Sequence, residues 1–199
     1  MALGEMTSSR TTRDALLDAA YDVVVAGDWA NARMVDVARA AGVSRQTLYN
    51  EFGSKDAVAE ALAMRESQRF LDGTNRTLDE LHPTTPAAAV YAATEWTIRE
   101  ASNNPLIKAV LTDDASDLLP FLSTRSEQIL AAARHQIVDF WLEHWPHIPA
   151  EEVELASEVV PRLTMSYLVL PSDGPDGSAE AIANRLAQLV EKLLMKGSS

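Results

Sequence analysis

Apolar residues recur along this chain at three- and four-residue intervals, the spacing that gathers them on one side of an α-helix. Leu16, Ala19, Ala20, Val23 and Val24 form one such stripe, opened by Thr11 and Asp14 in capping-box spacing and closed by Gly27. Trp29, just beyond, is expected to cover a small helical core. Met34, Val37, Ala38 and Ala41 form a second, shorter stripe. Gly42 follows it, suited to the positive φ that ends a helix, and Ser44 then offers a side-chain oxygen to the first N–H groups of the next one. Leu48 and Phe52, four apart, anchor that third helix. The chain therefore stops, turns and restarts within about three residues, as a helix-turn-helix requires.

Behind Ser54, a second capping residue, the pattern runs from Lys55 to about Leu81 with Gly73 as its one weak point, which predicts a single helix of roughly 39 Å. Phe70, Leu71, Leu78 and Leu81 extend its apolar side. Further helices are expected over about 85–102, 105–112, 118–145, 150–169 and 178–196. Asn103-Asn104-Pro105, Asp113-Asp114, the stretch from Pro146 to Pro149 and residues 171–175 mark the loops between them. Pro161 should kink the helix it interrupts or divide it in two. No run of alternating β-branched residues suggests a strand, so the pattern implies an all-α fold of about nine helices.

The third helix carries the most telling chemistry. With Leu48 and Phe52 turned inward, Gln46 and Asn50 project nearly opposite them, flanked by Arg45, Thr47 and Tyr49. Arg pairs bidentately with guanine edges and Asn or Gln with adenine edges. Ser44 and Thr47 hydroxyls, Tyr49 and Lys55 suit phosphate oxygens, which fix position without reading sequence. Such a helix is built to lie in a DNA major groove.

The stretch VARAAGVSRQTLYNEFGSKDAV resembles the DNA-binding signature of TetR-type transcriptional regulators, a likeness that covers roughly residues 10 to 65. It implies a three-helix, homeodomain-like DNA-binding domain over 10–56 and a C-terminal ligand-binding and dimerisation domain over 57–199; the arm over 1–9, small, polar and without periodicity, is expected to be disordered. The helix from 55 links the two domains. The family usually has Thr where this chain has Arg33, and Arg33 cannot cap a helix. Asn31 is the alternative cap, leaving Arg33 as a phosphate contact. Arg10 and Arg13 are further phosphate candidates. Glu51 is also unusual, because phosphates repel a carboxylate near the groove, and it is expected to turn away.

Composition narrows the rest. With 199 residues and 47% hydrophobic content the chain has ample material for packed cores. It has no cysteine, hence no disulfide framework and no thiolate metal site, and no apolar run as long as a membrane span, so a cytoplasmic location is expected. Its net charge of −12 argues against diffuse binding to nucleic acid. Residues 1–65 hold seven basic against nine acidic side chains and the remainder ten against twenty, so the acid load lies outside the proposed reader.

In the C-terminal part, Val153, Ala156, Val160 and Leu163 form one apolar face and Ile182, Leu186, Leu189 and Leu193 another. The resemblance implies that these last two helices pair with their copies in a four-helix dimer interface. The alternative on pattern alone is that both faces serve the core of one chain. Tyr91, Trp96, Phe121 and Phe140 are candidates to line an effector cavity, together with Trp141, Met165 and Tyr167. Few ionisable groups lie among them, which points to a lipophilic effector. Regulators associated with alkane or fatty-acid metabolism share a similar SRQTLYNEFGSK stretch. The four histidines do not converge, His144 and His147 being split by Pro146, and no glycine-rich phosphate loop or nucleophile motif is present. The sequence thus calls for no catalysis, metal or cofactor. The resulting expectation is a homodimeric, effector-released repressor on a palindromic operator. The alternatives are an activator of the same type or a helical interaction module without DNA binding.

Overall fold

In the computed structural model, residues 11–111, 118–123, 125–171 and 174–196 are described. The expected arm over 1–9, Arg10 and the Asp113-Asp114 loop lie outside them. All regular structure among the described residues is helical.

Helix α1 (Thr12–Val25) starts on the capping box anticipated from sequence. The Thr11 hydroxyl accepts from the Asp14 N–H at 3.1 Å, and the Asp14 carboxylate accepts from the Thr11 N–H at 3.2 Å. Gly27 takes φ +77°, which lets the chain turn away after Ala26. Helices α2 (Met34–Ala40) and α3 (Arg45–Phe52) follow, separated by Gly42 at φ +73°. Met34, Val37, Ala38, Leu48 and Trp29 are all buried beneath them. At α2 the structure corrects one expectation: Arg33, not Asn31, occupies the N-cap, and no side chain caps that end.

Ser54 accepts from the Ala57 N–H at 3.1 Å and starts α4 (Lys55–Leu81), whose 27 residues extend about 40 Å. The helix passes through Gly73 unbroken and stops at His82, held at φ +45°. Leu81 is 63% exposed and so does not continue the buried stripe. Thr85 caps α5 (Pro86–Asn103), with proline at a first-turn position that needs no N–H donor. Helix α6 (Pro105–Leu111) follows after Asn104.

The single helix expected over 118–145 is instead two, α7 (Leu119–Leu122) and α8 (Glu127–His144). Short polar side chains between them compete for the backbone: the Ser126 hydroxyl donates to the Ser123 carbonyl at 2.7 Å, and the Arg125 N–H turns back to the Pro120 carbonyl at 2.6 Å. Helix α9 (Ala150–Val169) runs through Pro161 without dividing. A short 3-10 turn (Gly174–Gly177) then leads to α10 (Ala179–Lys196).

Two apolar clusters hold these elements. The first joins α1 to α3 and the start of α4 to α6, through Leu106, Ile107, Ala109 and Val110. The second gathers α5, α8, α9 and α10, with α10 lying along α5. Val153, Ala156, Val160, Ile182 and Leu186 are buried in this second cluster, and Leu163 and Leu193 pack on it. Those faces are therefore committed within one chain, because the bundle needs both to close. Of the proposed interface residues only Leu189, 43% exposed, presents its side chain outward.

Candidate nucleic-acid interface and ligand cavity

Helix α3 is anchored by Leu48, which has no exposed surface, and by Phe52, beneath the Arg13 guanidinium at 4.5 Å. On its other side Arg45, Gln46, Tyr49 and Asn50 are exposed and Thr47 is half-buried. Ser44 accepts from the Thr47 N–H at 3.0 Å and lies 2.8 Å from the Thr47 hydroxyl, so the first turn is locked from both main chain and side chain. The Arg45 guanidinium rests over the Tyr49 ring at 5.1 Å. Stacking of this kind pre-orients a guanidinium while leaving its donors available.

The cations around this ridge are differently engaged. Glu51 turns back to pair with Arg13 at 3.0 Å, tying α3 to α1. Arg33 pairs with Asp36 at 3.2 Å while staying 80% exposed, and Arg39 holds the same carboxylate at 2.9 Å. Lys55, a candidate phosphate contact, donates to the carbonyls of Trp29 at 2.6 Å and Ala30 at 3.2 Å, and its ammonium sits 5.0 Å from the Trp29 ring centre. Its first task here is to clamp the loop between α1 and α2 onto the head of α4.

Below the reader lies a cavity of about 170 Å³, walled mostly by Leu, Ile, Val and Ala side chains of α4, α5, α6, α8 and α9. Helix α4 supplies Leu62, Glu66, Phe70, Leu71 and Thr74 to it, and α6 supplies Leu106, Ile107 and Val110. Of the aromatic and methionine residues nominated from sequence, Met165 lines this space. The other described ones lie elsewhere. Trp96 lies against Gly73 and meets the Phe70 ring edge-on at 6.0 Å, one shell behind the wall. Trp141 and Phe140 pack on Trp145 at 6.2 and 5.7 Å in the second cluster, which Tyr167 also joins. Tyr91 is half-buried on α5 away from the cavity wall, and the Phe121 side chain lies outside the described residues. Trp141, Phe140 and Tyr167 joined the bundle core because their area is best used there, whereas the wall, Phe70 apart, is made mostly of smaller residues that leave space.

Glu66, 5% exposed, is a wall residue that periodicity did not reveal. Its carboxylate is held by Arg65 at 3.3 Å and Arg69 at 3.0 Å, and Arg65 in turn reaches Asp18 at 2.7 Å and the Leu17 carbonyl at 3.2 Å. Burial pushes the Tyr21 phenol on α1 above its usual pKa, and the nearby Glu66 charge adds to the shift. The signal in the sequence was an E-x-x-R pair flanked by arginine on an otherwise apolar face. The α6 residues were legible as apolar but not as a bridge to α1.

Comparison with known proteins agrees with this geometry. Residues 16–62 match the family described as bacterial regulatory proteins, tetR family, and residues 86–189 match the bacterial tetracyclin repressor C-terminal domain. The HTH-type transcriptional regulator AlkX of Mycobacterium tuberculosis is 31% identical over 181 residues, covering 90% of this chain and 85% of that protein. Among solved structures, the TetR family repressor AlkX from a Dietzia strain, implicated in biodegradation of n-alkanes, superposes with a TM-score of 0.73 at 29% identity. It covers 96% of this chain and 100% of its own. The repressor QsdR of R. erythropolis shares the fold, with a TM-score of 0.63 at 14% identity over 92% of this chain and 94% of its own. With a reader and a C-terminal domain that both match, this chain belongs to the TetR family of helix-turn-helix transcriptional regulators, which bind DNA and are not enzymes.

Proposed function

We propose that this protein is an effector-released repressor that works in the cytoplasm, binding a palindromic operator as a homodimer with Arg45, Gln46 and Asn50 aimed at base edges. Ser44, Thr47, Tyr49 and Arg33 would hold phosphates, and Lys55 would set the reader's frame. Two-fold pairing suits a single short recognition helix, which touches few base pairs alone. The observation that carries the reading is the double membership of Leu62: it belongs to the reader's core and to the cavity wall on one continuous helix. An occupant that displaces the wall must therefore act on the floor of the reader. The apolar lining supports a lipophilic effector, and the n-alkane association of the Dietzia relative points the same way.

The test begins with selection of bound sequences from random DNA at about 150 mM salt, where non-specific binding fades. A palindrome is expected, and its effector should bind free dimer about 5- to 150-fold more tightly than operator-bound dimer. Equal affinity for the two forms would eliminate release by the effector, and failure to recover any specific sequence would eliminate the operator.

A further inference from the structure

The polar groups of the cavity wall have mostly spent their hydrogens on the protein itself. The hydroxyls of Ser67, Thr74, Thr97 and Thr164 donate to the carbonyls of Ala63, Phe70, Ala93 and Val160 at 2.8, 2.9, 2.7 and 2.9 Å. Gln136 gives one amide hydrogen to the Leu71 carbonyl at 3.3 Å. What these hydroxyls retain is acceptor capacity. Thr94 differs: it lines the cavity at 2% exposure and makes no hydrogen bond to a described residue. The sole ionisable group among the described wall residues is Glu66, a carboxylate whose charge Arg65 and Arg69 already meet.

We propose that the cavity takes a straight-chain primary alcohol and discriminates against the carboxylate of equal length. This rests on the reading of the cavity as the effector site and specifies its chemistry. A carboxylate carried into this space would find no Lys, Arg or His on the described wall and at most the Thr94 hydroxyl and one Gln136 N–H as donors. An anion so poorly paired in an apolar site bears most of its desolvation cost. An alcohol is neutral, accepts from Thr94 and donates to a neighbouring lone pair. Thr94 lies one turn before Thr97 on the same face of α5, and the Thr97 and Thr74 oxygens are 3.5 Å apart, so donor and acceptors are gathered at one end. From Thr74 back to Leu62 the α4 wall extends about 18 Å, mostly apolar, a length suited to an extended alkyl chain.

Calorimetric titration of the full chain with 1-decanol, decanoate and methyl nonanoate, at a pH well above the usual carboxylate range, tests the assignment. Decanol should bind at least about tenfold more tightly than decanoate and several-fold more tightly than the ester, which accepts but cannot donate. Thr94→Val, nearly isosteric, should weaken decanol and the ester alike, because both accept from that hydroxyl, and should leave the alcohol's advantage over the ester in place. Decanoate binding as tightly as decanol, or undiminished decanol affinity in Thr94→Val, overturns the proposal. Equal binding of all three overturns it while leaving the lipophilic cavity intact as an effector site. Binding of none overturns both.

Discussion

Gly73 shows how much one side chain can decide. Set in the middle of a long helix, a glycine ordinarily costs about 1 kcal/mol against alanine, so replacement would be expected to stabilise. Here a Cβ at Gly73 would lie 2.0 Å from the Trp96 ring, and overpacking of that kind typically costs about 1–3 kcal/mol. The clash outweighs the propensity gain. Gly73→Ala should lower the melting temperature, and Trp96→Phe in the same chain, by removing the outer ring, should recover part of the loss. Thermal denaturation of the three variants measures this; a stabilised Gly73→Ala would show that the indole is free to move. Lys55 teaches the same lesson from the polar side. A lysine after a capping serine reads as a phosphate ligand, yet its ammonium is bound by two carbonyls from a loop some 25 residues earlier, a contact no local pattern announces.

At the scale of elements, α3 is the most self-explanatory part of the chain. Ser44, Leu48 and Gly53 define its start, inner face and end, and the polar ridge follows by helical periodicity. On the proposed reading the ridge divides by chemistry into base readers and phosphate holders. Replacing Gln46 or Asn50 by Ala should alter which bases win a selection and cost about 1–3 kcal/mol at the contacted base pair. Replacing Tyr49 by Phe should weaken all sequences alike. Competitive selections on the three variants separate these outcomes, and unchanged base preference in both amide variants would remove the ridge from the interface. Helix α8 is the contrasting element. The single helix expected from 118 breaks between α7 and α8, where the Ser123 and Ser126 hydroxyls compete for backbone carbonyls.

For the whole molecule, the two apolar clusters and the helix that joins them give a path from cavity to reader. Helix α4 carries Val58, Ala59 and Leu62 under the reader and Phe70, Leu71 and Thr74 along the cavity. Helix α6 makes a second link, since Leu106, Ile107 and Val110 belong both to the reader's cluster and to the cavity wall. Dimerisation belongs to this scale as well. For the proposed homodimer, the faces expected from sequence are largely consumed within the monomer, and Leu189, with Leu155 and Met195 exposed on the same two helices, is the apolar surface we assign to the second copy. Leu189→Glu should raise the dimer dissociation constant by tenfold or more, read by sedimentation, and should weaken operator binding in parallel. A variant that remains as dimeric as the parent chain would place the interface elsewhere.

Periodicity, caps and turn residues are local, and they were enough for the helical class, nearly every helix boundary and the polar ridge, because each depends on residues within one or two turns of one another. The partner of each apolar face was not determined that way. A stripe such as Val153 to Val160 states that it must be covered, not by what, and Trp96 and Trp141 could wall a cavity or fill a core with the same spacing. Tertiary packing made those choices: it set α10 along α5, sent Trp141, Phe140 and Tyr167 to the core and left a space rimmed mostly by aliphatic residues. It also brought Glu66 among wall residues from four other helices. Burial depends on all neighbours at once, whereas a sequence window sees only those along the chain.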